Sequence, residues 1–244
     1  MKTPVYFISD IHLKLSLNNN EKKRRNNLYR LLDKIMETGG SCFFMGDLFD
    51  FYFEYPDLIP KSYFDFFEKT RRLKENGISL YFLAGNHDYW VGDHIKNEIM
   101  DEVYLEDKEI EINGKKFLLT HGDGLLSWDH GYRLLKKVIR SKTFIWLFHW
   151  LHPTIGYRIA RIISRSGKKD TYGQDFNEDV RIELQKVAKK HFDGGFDFMI
   201  SGHYHLGEMF LVNQGKLVVL GDWFHRPSYA VFDGEDLELM HWEE

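Results

Sequence analysis

Residues 80–88 read Leu-Tyr-Phe-Leu-Ala-Gly-Asn-His-Asp, a short apolar run that passes directly into a polar block. An apolar run of this length that ends at a glycine is typical of a buried strand. Because the strands of an α/β sheet present their ends at one edge, polar side chains placed after several strands are expected to converge. Four more blocks follow apolar runs in the same way: Asp10-Ile11-His12, Gly46-Asp47, His121-Gly122-Asp123 and Gly202-His203-Tyr204-His205.

The side chains of these blocks predict a site for two metal ions. Asp, Asn and His without a thiolate suit divalent ions such as Mn, Fe or Zn. Two cations about 3.5–4 Å apart clamp the attacking and leaving oxygens of an in-line phosphoryl displacement, and a hydroxide shared by both is the expected nucleophile. Asp47 is the natural bridging ligand because of its place in the chain order. The predicted ligands are Asp10, His12, Asp47 and His205 for one ion, and Asp47, Asn86, His121 and His203 for the other.

Each block also has an ordinary structural explanation when it is taken alone. Asp10-Ile11-His12 could be a turn or a helix cap, and residues 85–88 could be a tight turn, since Gly and Asn tolerate left-handed backbone. His203 and His205 could be surface residues. Five blocks in one order, each after an apolar run, favour the metal site over these alternatives.

In this order the blocks resemble the pattern D-x-H, G-D, G-N-H-[DE], H and G-H-x-H of the calcineurin-like metallophosphoesterase superfamily. The match spans Asp10 to His205, which is most of the chain. The resemblance implies the same division of ligands between two ions. It also implies an α/β fold of four layers, an αββα sandwich in which two sheets lie between helices.

Composition sets limits on the class of protein. At 244 residues, with 43% hydrophobic and 29% charged residues, the chain is expected to fold as one large α/β domain with or without an insertion. Cys42, the single cysteine, lies in an apolar run and is expected in the core, which fits a reducing compartment. Met1-Lys2-Thr3-Pro4 leads directly into the first strand, so no signal peptide is expected and the predicted location is cytoplasmic.

Helical stretches are predicted between the apolar runs, at residues 21–38, 61–76 and 177–192, which favours an α/β architecture. Asn177 is a candidate N-cap of the last of these. Asn113-Gly114 and Asp233-Gly234 each separate two strand-like segments and predict β-hairpins, so part of the sheet structure is expected to be antiparallel.

Residues 129–169 interrupt the rhythm of strands and helices between the fourth and fifth blocks. We predict that they form a helical lid with a break near Pro153, inserted into a core made of residues 1–128 and 170–244. The segment from residue 130 to residue 169 has no Asp or Glu. Its ten basic residues are Arg133, Lys136, Lys137, Arg140, Lys142, Arg158, Arg161, Arg165, Lys168 and Lys169.

The centre of the lid, residues 143–157, is uncharged and rich in aromatic residues, including Trp146 and Trp150. This stretch is too short and too interrupted to cross a bilayer. Basic flanks around an aromatic centre suit a peripheral contact with a membrane surface, or a groove for acyl chains beside a phosphate group. The alternative is that the aromatic residues are the core of the lid and the cations its solvated face.

Within the superfamily the chain is most similar to the UDP-2,3-diacylglucosamine pyrophosphatases of lipid A biosynthesis, on residues 9–13, 46–50 and 121–123 and on the lid. The resemblance implies a hydrolase in which water attacks the α-phosphate of a lipid-linked nucleotide sugar, releasing UMP and the acylated sugar 1-phosphate. It further implies manganese and a position on the inner face of the cytoplasmic membrane, with no nucleic acid partner. The expected substrate contacts are Asp123, Ser164, Arg165, Lys168, Lys169, Trp146 and Trp150.

One residue departs from the pattern of those pyrophosphatases. Their well-known members carry Arg after the Gly-Asn pair, whereas this chain has His87, as the wider superfamily does. A histidine there can act as a general acid, and we expect Asp88 to hold its ring. The chain therefore resembles a divergent branch, and a phosphodiesterase or phosphatase acting on a soluble ester is the alternative function. A nuclease and a non-catalytic scaffold are less favoured, because the basic stretch is confined to the lid and all ligands are present.

Overall fold

The apolar runs of the sequence form two β-sheets in the computed structural model, which describes residues 1–55, 57–166 and 174–243. Within these residues, one sheet has six strands in the order β11-β10-β1-β2-β3-β4, and the other has five in the order β5-β6-β7-β9-β8. The strands are β1 (Val5–Ile8), β2 (Ser41–Phe44), β3 (Ser79–Leu83), β4 (Glu102–Tyr104), β5 (Lys108–Ile112), β6 (Lys115–Thr120), β7 (Phe198–Ser201), β8 (Glu208–Val212), β9 (Gly215–Val219), β10 (Ser228–Phe232) and β11 (Leu237–His241).

Each sheet combines parallel strands with antiparallel edges. Strands β1 to β4 are parallel, and so are β6, β7 and β9, whereas β1–β10, β10–β11, β5–β6 and β8–β9 pair antiparallel. The predicted hairpin at Asn113-Gly114 joins β5 to β6, and both residues have positive φ, as a tight hairpin turn of this type requires. Strands β4 and β8 were not predicted from the sequence.

Helices cover the outer faces of both sheets. Helix α1 (Asn19–Thr38) and helix α2 (Phe64–Glu75), which follows a 3₁₀ turn at Lys61–Tyr63, connect the first three strands, and a short π-helix spans His94–Ile99. Helix α6 (Gln174–Asp193) precedes β7. The expectation that Asn177 caps this last helix was wrong, because the helix begins three residues earlier.

Side chains alternate along each strand between two cores, as the period of a pleated strand requires. On β1, Val5 and Phe7 face the other sheet, and the Phe7 ring lies 6.0 Å from that of Phe117 on β6. Tyr6 and Ile8 point the opposite way, into the core under α1 and α2. Helix α6 buries residues at helical spacing against the outer face of the second sheet, namely Val180, Leu184 and Ala188. The predicted αββα sandwich is confirmed.

The segment predicted as a lid contains helices α3 (His130–Ile139), α4 (Lys142–His149) and α5 (Pro153–Ser166). Helix α5 begins at Pro153, where proline is tolerated because the first N–H groups of a helix have no partner within it. Ser141 caps α4 by accepting a hydrogen bond from the Phe144 N–H at 3.2 Å. The predicted end of the lid at residue 169 lies outside the described residues.

The aromatic centre of the lid is divided between the two roles considered from the sequence. Phe144 and Phe148 pack against the core residues Phe51 and Phe53, so this part is ordinary packing. Other residues point outward: Trp146 is 57% exposed, Leu147 54% and Trp150 75%. In residues 1–55, 57–166 and 174–243, no helix combines the length and apolar character needed to cross a bilayer.

Candidate metal centre

The seven predicted ligands lie together where parallel strands of the two sheets end. Asp10 and His12 follow β1, Asp47 follows β2 and Asn86 follows β3, all on the first sheet. The second sheet contributes the residues after β6 and β7, which are His121, His203 and His205. One site is therefore assembled from both halves of the sandwich, and the sheet-to-sheet packing sets its geometry.

The Asp47 carboxylate is the centre of this cluster. Its Oδ2 atom lies 3.4 Å from Nε2 of His121, 3.7 Å from Nε2 of His12 and 3.9 Å from Nε2 of His87. Three groups of donor atoms fall within 4.8 Å of one another among the described residues, and Asp47 belongs to two of them. The groups are Asp10–His12–His205, His12–Asp47–His87 and Asp47–His121–His203.

Asp10 and Asn86 each contact a different histidine of the cluster. Asp10 Oδ1 lies 3.1 Å from Nε2 of His205, and Asn86 Oδ1 lies 3.1 Å from Nε2 of His121. Carboxylate oxygens, an amide oxygen and imidazole nitrogens are the donors that suit divalent ions such as Mn, Fe or Zn. The residues present therefore fit a pair of divalent metal ions, with Asp10, His12 and His205 on one side and Asn86, His121 and His203 on the other.

The backbone at the site is held in a sparsely populated conformation. Positive φ angles are uncommon for residues other than glycine, and they cluster at functional sites. Gly85 provides the necessary room, because a Cβ atom at this position would collide with Oδ1 and the backbone nitrogen of Asp47. Positive φ angles, from 47° to 66°, occur at Asp10, His12, Asp47, His203 and His205.

Burial and charge divide the histidines into two kinds. Burial lowers the pKa of His12 to about 3 and that of His203 to about 4, so both rings are neutral, as metal ligation requires. Burial also opposes charge on His121 and His205, but Asp47 raises the pKa of His121 to about 10 and Asp10 raises that of His205 to about 9. The negative charge of the carboxylates therefore favours positive charge in the site, and a bound cation would supply it.

His87 points its ring at the cluster, but Asp88 does not hold it. The Nδ1 atom of His87 lies 2.7 Å from the carbonyl oxygen of Asp50, so this nitrogen carries the proton and Nε2 faces Asp47. Asp88 is fully buried and accepts hydrogen bonds from the backbone N–H groups of Asp47, Leu48, Phe49 and Gly85. The prediction that Asp88 holds the ring was wrong, and this residue instead joins residues 85–88 to the Gly46-Asp47 block.

Asp123 lies beside the cluster, and its carboxylate is engaged by helix α3. Its Oδ2 atom accepts a hydrogen bond from the Tyr132 hydroxyl at 2.8 Å and lies 2.9 Å from Lys136 Nζ and 3.2 Å from Arg140 Nη2. Burial works against its charge, but His121, Arg140 and Lys136 lower the pKa of Asp123 below its ordinary value. In the structure Asp123 therefore anchors helix α3 at the metal centre.

Two of the other predicted substrate contacts, Trp146 and Trp150, have described side chains, and both are largely exposed to solvent. Their rings lie 5.8 Å apart. Ser164 and Arg165 belong to helix α5, and their side chains are not described. Lys168 and Lys169 lie outside the described residues.

Sequence reasoning missed Arg24, which supports the first ligand block from helix α1. Its guanidinium donates hydrogen bonds to the carbonyl oxygens of Ile11 and His12, and Glu21 holds it through Oε2 at 2.6 Å. The sequence shows only a charged first turn of a helix, which usually indicates a solvated face. Nothing in that pattern points to a buried contact with a loop more than ten residues away.

We expect Arg24→Met to lower the affinity for the ion at the Asp10–His12 side by about 10- to 100-fold, because outer residues of a metal site orient its ligands. Methionine keeps the stem and removes the donors that hold two carbonyls of the strained loop. Calorimetric titration of the metal-free protein measures the loss. Arg30→Met, on the exposed face of the same helix, is the control. Equal affinities in both variants would contradict a positioning role.

Comparison with known proteins agrees with this geometry. Residues 3–207 match the family described as calcineurin-like phosphoesterase. A UDP-2,3-diacylglucosamine hydrolase of Porphyromonas gingivalis is 32% identical, over 100% of this chain and 99% of that protein. A protein of the same name from Vibrio atlanticus is 28% identical, over 100% and 98% of the two chains.

The family match covers all five blocks, and the structure brings the blocks together at one site. The fold implies divalent metal ions at this site, and the donor set fits them. The chemistry is the hydrolysis of a phosphoester. The chain belongs to the calcineurin-like phosphoesterase family.

Proposed function

We propose that the protein hydrolyses the pyrophosphate bond of UDP-2,3-diacylglucosamine, giving UMP and the acylated sugar 1-phosphate. The observation that carries this proposal is a basic, aromatic lid anchored at the metal centre, in a chain that aligns along its whole length with hydrolases named for that substrate. An anionic substrate with long acyl chains needs both kinds of surface. The proposed metal is manganese, with Fe or Zn as alternatives.

The proposed reaction is attack by water on the α-phosphorus. The P–O bond to the bridging oxygen breaks, and the acylated sugar 1-phosphate leaves. A pair of divalent ions at this site would supply charge neutralisation and a water of lowered pKa. The ions would be held by Asp10, His12, Asp47, Asn86, His121, His203 and His205.

His87 is the proposed general acid of this reaction. A histidine at this position can donate a proton to a leaving oxygen, and Nε2 of His87 lies 3.9 Å from Oδ2 of Asp47. Since the Asp50 carbonyl occupies Nδ1, the proton on Nε2 is the one directed into the site. Its transfer to the bridging oxygen would neutralise the leaving group.

Helix α3 is the proposed contact for the phosphate that leaves. Asp123 holds Lys136 and Arg140, and Arg140 Nη2 lies 3.5 Å from the carbonyl oxygen of Gly85 in the third block. The ring of Tyr132 lies 6.2 Å from that of His203. Two positively charged side chains therefore lie at the Asn86–His121 side, where they would attract a sugar phosphate.

The test is an assay of purified protein with Mn²⁺ and UDP-2,3-diacylglucosamine in detergent. We expect release of UMP from the wild type and none from His121→Ala. The second candidate, hydrolysis of a soluble ester, is favoured by His87, which matches the wider superfamily. Turnover of bis(p-nitrophenyl) phosphate without release of UMP would reject the lipid substrate and leave the family chemistry intact.

A peripheral membrane position is proposed from the exposed side of the lid. We expect the double variant Trp146→Ser and Trp150→Ser to bind vesicles containing anionic phospholipid about tenfold more weakly, since interfacial binding depends on buried apolar area. Co-sedimentation with vesicles measures this. Phe64→Ser removes an aromatic ring of similar exposure, 56%, from helix α2 and is the control. Unchanged binding in the double variant would contradict the proposal.

A further inference from the structure

The loop between β9 and β10, residues 220–227, also lies beside the metal centre. The Phe224 ring lies 6.0 Å from that of His12, and Asp222 Oδ2 lies 3.8 Å from Nδ1 of His205. The loop therefore borders the Asp10–His12–His205 group, whereas helix α3 borders the group that contains His121 and His203.

A cleft of about 490 Å³ opens beside this loop. Asp222 separates it from the metal centre, because the same carboxylate that faces His205 also lies 3.2 Å from Nδ1 of His225. The volume is within the range of about 300–1,000 Å³ that is usual for small-molecule sites. The residues that line the cleft are Gly207, His225, Arg226, Pro227, His241 and Trp242.

The lining suits a nucleoside by its chemistry. Among the described lining residues none is acidic, and three carry flat rings on which a base can stack. Arg226 donates one hydrogen bond to the Leu206 carbonyl oxygen, at 3.2 Å, and its guanidinium has further N–H donors. Uracil and ribose offer the acceptors that such donors need.

We propose that this cleft binds the nucleoside part of the substrate, so that the substrate spans the metal centre with its acylated sugar toward the lid and its uridine toward residues 222–227. The inference rests on the proposed function, which places a nucleotide α-phosphorus at the metal ions. It adds a binding site for the nucleoside and an orientation of the substrate across the metal centre. Three observations support the inference. They are the cleft itself, the single side chain that separates it from His205, and a lining of flat rings and hydrogen-bond donors.

The test is binding of UMP to the metal-loaded protein, measured by calorimetry. We expect His225→Ala and His241→Ala each to weaken UMP by about five- to tenfold, the effect expected for loss of a stacking ring. The His225 side chain is 82% exposed, so its removal disturbs little packing. Gln185→Ala, which lines a separate cleft on helix α6, is the matched control and should bind UMP as the wild type does.

Uridine provides a readout that needs no metal. In saturation-transfer NMR with metal-free protein, we expect uridine signals from the wild type and from Gln185→Ala, and weaker signals from His225→Ala and His241→Ala. Wild-type UMP affinity in both histidine variants would overturn the proposed cleft, even if UMP is released from the lipid. If the variants lose UMP but the wild type does not cleave the lipid substrate, the cleft stands and the proposed function fails.

Discussion

Replacement of Asp47 by asparagine is expected to abolish hydrolysis, lowering kcat by more than about 10³-fold, and to reduce the bound metal from two ions per chain to one or none. The reason is that Asp47 Oδ2 lies within 3.4–3.9 Å of the Nε2 atoms of His121, His12 and His87. An amide of the same shape keeps the packing but cannot place negative charge between two cations. Metal content by mass spectrometry and the rate on a soluble ester measure the two effects.

The control is Asp33→Asn, which removes a carboxylate that pairs with Lys69 on the surface at 2.7 Å. Exposed pairs contribute little, so metal content and rate should stay as in the wild type. Thermal unfolding of the metal-free proteins shows whether the Asp47 variant is folded. A folded Asp47→Asn protein that still binds two ions would contradict the bridging role.

Replacement of His87 by alanine is expected to lower kcat on the lipid substrate by about 10²- to 10⁴-fold, the usual contribution of a general acid. The loss should be much smaller with an ester whose leaving group is p-nitrophenolate, because that oxygen needs no proton. His87→Arg should recover part of the loss, since arginine stabilises charge without transferring a proton. Steady-state kinetics with both substrates separates these effects.

His87 also lies in a group of possible metal donors with His12 and Asp47, and the leaving-group comparison distinguishes this role from acid catalysis. An equal loss with both substrates, together with a lower metal content, would assign His87 to the metal and reject the general acid. His191→Ala, on helix α6, is the control for loss of an imidazole and should leave both rates unchanged.

The outcome at Asp88 shows what neighbouring positions in a sequence can hide. His87 and Asp88 are adjacent, and a carboxylate beside a histidine suggests that it holds the ring. In the turn the two side chains point apart. Asp88 accepts hydrogen bonds from four backbone N–H groups, whereas the His87 ring hydrogen-bonds to the carbonyl oxygen of Asp50, 37 residues earlier. Arg24 is a similar case, because its partners in the first ligand block are known only once α1 is docked.

The helix boundary at Asn177 and the aromatic lid show two further limits. Asn177 has the composition of a cap, but a helix can begin earlier when the residues before it also accept helical backbone. In the lid, the sequence shows which residues are aromatic but not which of their side chains face outward. Packing on Phe51 and Phe53 settles this, because it buries Phe148 and leaves Trp150 exposed.

The sequence by itself determined the α/β class and the positions at which strands end, because apolar runs followed by ligand residues are local patterns that survive without coordinates. The αββα sandwich and the family followed from the resemblance of the five blocks to a known superfamily. The central position of Asp47 was predicted from the sequence, whereas tertiary structure alone decided that five ligands adopt left-handed backbone, that Asp123 holds helix α3 and that a cleft lies beside His225. These features depend on the packing of two sheets against each other, and distances across that packing have no counterpart in the order of residues along the chain.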